Sequence, residues 1–205
     1  MTLSTGEDRY LDDHKFDGVP VLPMAFALEL MSEAAIATFP GMTLRRITEM
    51  DIPSGLVFDT ASKKMVVKVT AESHANQVVR ARVSVSNASG KVHFKSLIEL
   101  GVSASQTSGT TVTGATTSVP VAFQAPTLEQ AEATPPTVKH IYTNYMFHGP
   151  AFQGITGLSA LGIDGIVGSL APSAPAECLQ TPGATEWVID PILFDSAMQL
   201  AGVWA

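Results

Sequence analysis

The chain has 205 residues, 45% of them hydrophobic and 15% charged, enough to bury a substantial core as one large domain or two small ones. A formal net charge of -7 argues against a broad nucleic-acid-binding surface, leaving only local basic groups such as Arg45, Arg46, Lys63 and Lys64 to meet an acidic partner. The single cysteine, Cys178, excludes an intrachain disulfide and a Cys-rich zinc site; with no apolar run of membrane-spanning length and no signal-peptide pattern, a reducing cytoplasm is the expected setting.

The first informative segment is punctuated by His14, Gly18 and Pro23 and runs directly into an apolar stretch. Pro23 suits a first helical position, and the pattern predicts a helix from Pro23 to Phe39 that Pro40-Gly41 stops. That helix is apolar on nearly all sides, so other structure must wrap it. Strands are predicted over 44–52, 65–73, 78–86 and 92–100, where Val67 and Val69 alternate with Lys68 and Thr70, and Val83 and Val85 with Arg82 and Ser84. Short gaps at Ala75-Asn76 and Asn87–Gly90 predict antiparallel hairpins. One buried helix followed by an antiparallel meander is an α+β pattern in which the sheet curls round the helix.

Residues 102–136 are rich in Ser, Thr, Gly, Ala and Pro and read as a linker between an N-terminal unit, 1–101, and a second unit, 137–205. The second unit is predicted to hold a short helix over 138–145, the segment His148-Gly149-Pro150-Ala151-Phe152-Gln153, and strands over 155–161 and 166–170. Asp190 is a good N-cap and Pro191 a good first residue for a closing apolar helix that carries Asp195 and Gln199. The halves therefore rhyme, each with a Pro-initiated apolar helix and associated strands. His74, His93 and His140 lack paired ligand spacing, so no metal site is expected.

His14, Gly18 and Pro23, then His148-Gly149-Pro150-x-Phe152-Gln153, then Asp195-x-x-x-Gln199 form an ordered set. It resembles the dehydratase domains of polyketide and polyunsaturated fatty acid synthases, and its wording is most similar to the iterative or enediyne-like type. The resemblance implies a double hotdog, each half a central helix wrapped by an antiparallel sheet, with the site between the halves. It also implies that the chain ends inside the second hotdog, which is then incomplete at its C-terminus.

For such a family, water is eliminated from a 3-hydroxyacyl thioester to give the 2-enoyl thioester. A base must take the proton beside the carbonyl and an acid must protonate the departing hydroxide, each transfer contributing roughly 10²–10⁴-fold. The resemblance casts His14 as base and Asp195 as acid. Burial should keep the imidazole neutral and the carboxyl protonated. Gln199, one turn beyond Asp195, is cast as a positioning amide, the Gly18 N–H near a helix start as donor to the thioester oxygen, and His148 as a hydrogen-bonding or packing residue where many members carry Tyr. Pro23, Gly149 and Pro150 are read as backbone devices that set the loops. No bound cofactor is implied, since the substrate arrives on the phosphopantetheine of an acyl carrier protein. The other implied partners are neighbouring synthase domains and a second copy through the parent synthase, with no nucleic acid or membrane. Two departures are that Asp190 stands where the family commonly has His, and Met24 where Gly is frequent. A noncatalytic or product-template-like hotdog module and a hotdog thioesterase or isomerase are the competing readings.

Overall fold

The computed structural model describes residues 1–75, 77–102, 125–132 and 134–205. Asn76 and most of the expected linker, 103–124 and 133, lie outside the described residues.

The chain opens with β1 (Thr2–Ser4), followed by two short strands, β2 (Lys15–Phe16) and β3 (Val19–Pro20), and by helix α1 (Met24–Thr38). Four longer strands come next: β4 (Met42–Asp51), β5 (Ser62–Ala75), β6 (Val78–Asn87) and β7 (Val92–Val102). Together with β1 they form a five-stranded antiparallel sheet in the order β1-β5-β6-β7-β4. One of its faces packs on α1, whose Phe26, Ala27, Leu28, Met31 and Ala35 share a buried core with Val79, Ala81, Val83 and Val85 of β6 and Phe94, Ile98 and Leu100 of β7. The alternation seen in β6 thus delivers one row of small and branched residues to the helix, and the other row to solvent. Arg45 and Arg46 on edge strand β4 are separated from Lys63 and Lys64 on β5 by β6 and β7, so the four cations do not form one patch.

Pro23 caps α1 instead of opening it. Its backbone is extended (ψ 144°), and Met24 is the first helical residue. The reason lies just upstream, where Leu22 N–H donates to the Leu56 carbonyl (2.9 Å) and Phe58 N–H to the Pro20 carbonyl (2.8 Å), holding residues 20–22 extended until the helix can start. Before it, β2 and β3 pair as a small hairpin around Asp17 and Gly18, whose positive φ values of 50° and 79° are the left-handed conformations of a tight two-residue turn.

The second half contains α2 (Val138–Asn144), the hairpin β8 (Ile155–Gly162) and β9 (Gly165–Leu170), the short α3 (Pro175–Cys178) and α4 (Pro191–Trp204). α4 packs on β8 and β9 and also on α1, so the two central helices meet. As expected, Asp190 caps α4: its side chain accepts from the N–H groups of Ile192 and Leu193, both at 3.0 Å. A small core of Ile141, Ile155 and Leu200 belongs to this half alone, while Phe152, Cys178 and Ile192 join the main core of the first half. Part of the expected linker is docked, since Glu132 N–H donates to the Leu161 carbonyl and Ile163 N–H to the Glu129 carbonyl. Among the described residues no helix is long and apolar enough to cross a membrane.

Candidate functional site

A short 3-10 turn, Arg9–Asp13, delivers His14 to the boundary between the halves. The imidazole is buried (8% exposed), and its Nδ1 lies 2.8 Å from the Val21 carbonyl. A carbonyl only accepts, so Nδ1 carries the proton and Nε2 keeps the basic lone pair. Aromatic rings surround it: Phe147, Phe152 and Phe16 have centroids 5.1, 5.4 and 5.7 Å away. Burial pushes the His14 pKa below the ordinary imidazole value of 6.5, against the opposing pull of the Val21 carbonyl and the charge of Asp195.

α4 supplies the acidic side. Asp195 Oδ2 accepts a hydrogen bond from Gln199 Nε2 (2.8 Å) and lies 3.4 Å from His148 Nε2. Gln199 is buried and its amide has one orientation that satisfies its neighbours. Tyr142 accepts from Ile155 N–H (2.9 Å) and donates its hydroxyl proton to Gln199 Oε1 (3.0 Å), leaving the amide NH2 to face two acceptors, Asp195 Oδ2 and the Phe152 carbonyl (3.0 Å). The i, i+4 spacing of Asp195 and Gln199 places both on the same helix face.

His148 stands between these groups, its ring centroid 5.6 Å from that of His14. Its loop is strapped to the first half by Asp13, whose backbone carbonyl accepts from Gly149 N–H (2.8 Å) and whose carboxylate accepts from Ala151 N–H (2.9 Å). Gly149 has to lack a side chain here, because a Cβ would overlap the Asp13 carboxylate. Pro150 starts the 3-10 turn Pro150–Phe152, which seats the Phe152 ring between His14, His148 and Phe26. Burial lowers the His148 pKa and His14 pushes it the same way, while the Asp195 carboxylate raises it.

The fold therefore brings His14, His148, Asp195 and Gln199 together. Gly18 is elsewhere: it occupies the exposed tip of the β2–β3 hairpin, not a helix start, so the helix dipole does not act on its N–H. Pro23 is buried beneath the site as the α1 cap. Three further residues build the site and escaped the sequence reading: Asp13, Tyr142 and Glu29. Glu29 is a carboxylate in the middle of apolar α1 that accepts from Val188 N–H (2.7 Å) and Ile189 N–H (2.6 Å), the residues leading into the α4 cap. Glu29 shares apolar α1 with a second carboxylate, Glu33, and neither it nor Asp13 and Tyr142 carried a signal beyond proximity to the motifs. Among the described residues no three His, Cys, Asp or Glu side chains converge as a metal would require.

A helix wrapped by an antiparallel sheet, with a second helix-and-hairpin unit docked across the site, is the hotdog arrangement of dehydratases. The CurF dehydratase of the curacin polyketide synthase superimposes with a TM-score of 0.63 at 19% identity, over 97% of this chain and 67% of that one. The CurK dehydratase gives a TM-score of 0.61 at 18% identity, over 98% of this chain and 66% of that one; its histidine-to-phenylalanine and aspartate-to-asparagine variants are each described as inactive. In sequence, a polyunsaturated fatty acid synthase polypeptide of Thraustochytrium sp. is 25% identical over 206 residues, which is 98% of this chain and 7% of that protein. A family model described as polyketide synthase dehydratase domain matches residues 1–88, and one described as polyketide synthase dehydratase N-terminal domain matches residues 106–205. The chain belongs to the polyketide synthase dehydratase domains. It spans about two thirds of the solved dehydratases and a small fraction of the curated synthase polypeptide.

Proposed function

We propose that the chain is the dehydratase of an iterative polyketide or polyunsaturated fatty acid synthase, eliminating water from a 3-hydroxyacyl thioester carried on the phosphopantetheine of an acyl carrier protein. The observation that carries this reading is the disposition of His14: Nδ1–H is tied to Val21, so the basic Nε2 is free in an aromatic surround beside Asp195. Nε2 takes the α-proton, the carbon–oxygen bond to the 3-hydroxyl breaks, and the acid on the Asp195 side protonates the leaving oxygen, giving the 2-enoyl thioester and water. Gln199 holds the Asp195 carboxyl in place from the next turn. Gly18 stays a candidate donor to the thioester oxygen by resemblance alone. The inactive CurK variants support the same pair of residue types in a protein of like fold. Carrier protein and adjoining synthase domains are the partners this reading requires, with a cytoplasmic setting.

The test is a synthetic 3-hydroxyacyl carrier-protein thioester offered to the full polypeptide that contains these residues, with His14→Ala and Asp195→Asn alongside. Loss of water in the wild type alone supports the reading. Thioester hydrolysis or a displaced double bond assigns the chain to another hotdog chemistry, and tight acyl binding without turnover assigns it to the noncatalytic modules.

A further inference from the structure

We propose that Phe16 and Phe147, with Val19 beside them, form an apolar lip that holds the alkyl chain of the substrate, so that chain length is sensed next to the His14–Asp195 pair and not by it. This rests on the dehydratase reading and names substrate-positioning residues for it.

The three side chains are large, apolar and exposed: 52% for Phe16, 38% for Val19 and 46% for Phe147. They also stand together. Phe16 and Val19 are directly opposed in the β2–β3 register, so both leave the hairpin on the same face. Phe147, in the loop between α2 and Gly149, brings its ring to a centroid distance of 4.2 Å from that of Phe16. Each half of the chain therefore contributes one ring to the lip. Both rings meet buried His14 edge-on, and Phe147 stacks on His148 with centroids 4.1 Å apart. The row Phe16, Phe147, His148 thus runs from the hairpin toward Asp195, alongside the base.

The lip is registered to the base by backbone bonds. Val21 N–H donates to the His14 carbonyl (3.1 Å) and the Val21 carbonyl meets His14 Nδ1 (2.8 Å), closing the root of the hairpin on the residue that carries the imidazole. The adjacent charges are turned to each other, Lys15 pairing with Asp12 at 2.9 Å. Apolar surface continuous with a polar reacting site marks a place that a ligand covers. Its chemistry suits an alkyl chain and suits the amide-bearing pantetheine arm poorly, because amide groups lose hydrogen bonds to water against bare rings. Covering the outward part of one ring removes roughly 80–100 Å² of apolar surface from water, enough for about a 10-fold to 50-fold change in affinity.

The test uses the full polypeptide containing these residues and two unreactive probes, 3-hydroxyoctanoyl and 3-hydroxybutyryl pantetheine with an amide in place of the thioester. By calorimetry, Phe16→Ala and Phe147→Ala should each weaken the octanoyl probe about 10-fold to 50-fold and the butyryl probe less than about 3-fold, with most of the loss restored in Phe16→Leu and Phe147→Leu. Equal losses for both probes, or no loss for either, overturn the proposal. So does a large drop in melting temperature with octanoyl binding unchanged, which assigns the rings to packing. Phe16→Thr, compatible with a strand, serves with the same expectation where the alanine variant does not fold. In turnover of the matching thioesters, KM for the octanoyl substrate should rise with kcat within about 3-fold; a fall in kcat at both chain lengths makes the rings supports of His14 and overturns the lip. Chain-length-dependent binding without dehydration would refute the proposed function and leave the lip standing; dehydration with binding indifferent to both rings would refute the lip alone.

Discussion

Glu29 is predicted to make the stability of this fold depend on pH in a direction unusual for a carboxylate. It is buried (3% exposed) in α1, and burial is the largest influence on it, pushing its pKa from 4.5 up to about 7 despite the two backbone N–H groups that favour the ion. A group titrating higher in the folded state contributes its full stability below about pH 4.5 and loses it as pH rises through about 7. The difference between those values corresponds to about 3 kcal/mol at most. In Glu29→Gln the amide keeps one acceptor and turns an NH2 toward the other backbone donor, a loss of about 1–2 kcal/mol that does not titrate. The stability difference between wild type and variant should therefore favour the wild type near pH 5 and shrink or reverse by pH 8, with a span of about 2–3 kcal/mol. Urea denaturation followed by tryptophan fluorescence measures it, with Trp187 next to the clamped Val188 as a local reporter. A difference that stays constant across this range, or grows with pH, would refute the reasoning.

Other outcomes follow from the same geometry. Gly149→Ala should destabilise the protein by about 1–3 kcal/mol through its overlap with Asp13; thermal melts of Gly149→Ala, Asp13→Gly and the double variant should be non-additive, because the second change removes the obstacle. Tyr142→Phe leaves Ile155 N–H without its acceptor and Gln199 free to turn, and kcat for elimination should fall roughly 10-fold to 100-fold with little change in KM. Because burial lowers the His14 pKa, the acidic limb of the kcat/KM profile should lie below the ordinary imidazole value of 6.5, activity falling as pH drops through it; a limb above 6.5 would contradict the buried base. Asp190→Ala removes the α4 cap and the anchor of Ser173, with an expected loss of about 1–2 kcal/mol in chemical denaturation.

The long elements were legible in the sequence because each repeats its pattern over many residues. The alternation of β6 placed Val83 and Val85 inward, and Asp190-Pro191 marked the start of α4. The β2–β3 hairpin was not legible, since strands of two residues have no period to read, although Asp17-Gly18 is the dipeptide such a turn demands. β1 escaped for the same reason. Pro23 misled because its role as cap depends on the pairing of residues 20–22 with 56–58, a tertiary contact. His14, Asp195 and Gln199 were reachable through motif order. Asp13, Glu29 and Tyr142 were not: Asp13 and Glu29 act through their carboxylates on residues of the other half 138 to 160 positions away, and Tyr142 acts on Gln199, 57 positions away on α4.

The sharing of one core between the halves sets a limit on recombination. Phe152, Cys178 and Ile192 are buried in the same cluster as Tyr10, Phe26 and Met31, and the Phe152 ring also forms a wall of the candidate site. A chimera joined within 103–124, taking one half from another dehydratase domain, would mismatch these packing partners beside His14 and Asp195. Inheritance of substrate preference in such hybrids should follow the whole unit, and the two halves should drift together in size and shape at these positions, behaving as a single evolutionary block despite the length of chain that separates them.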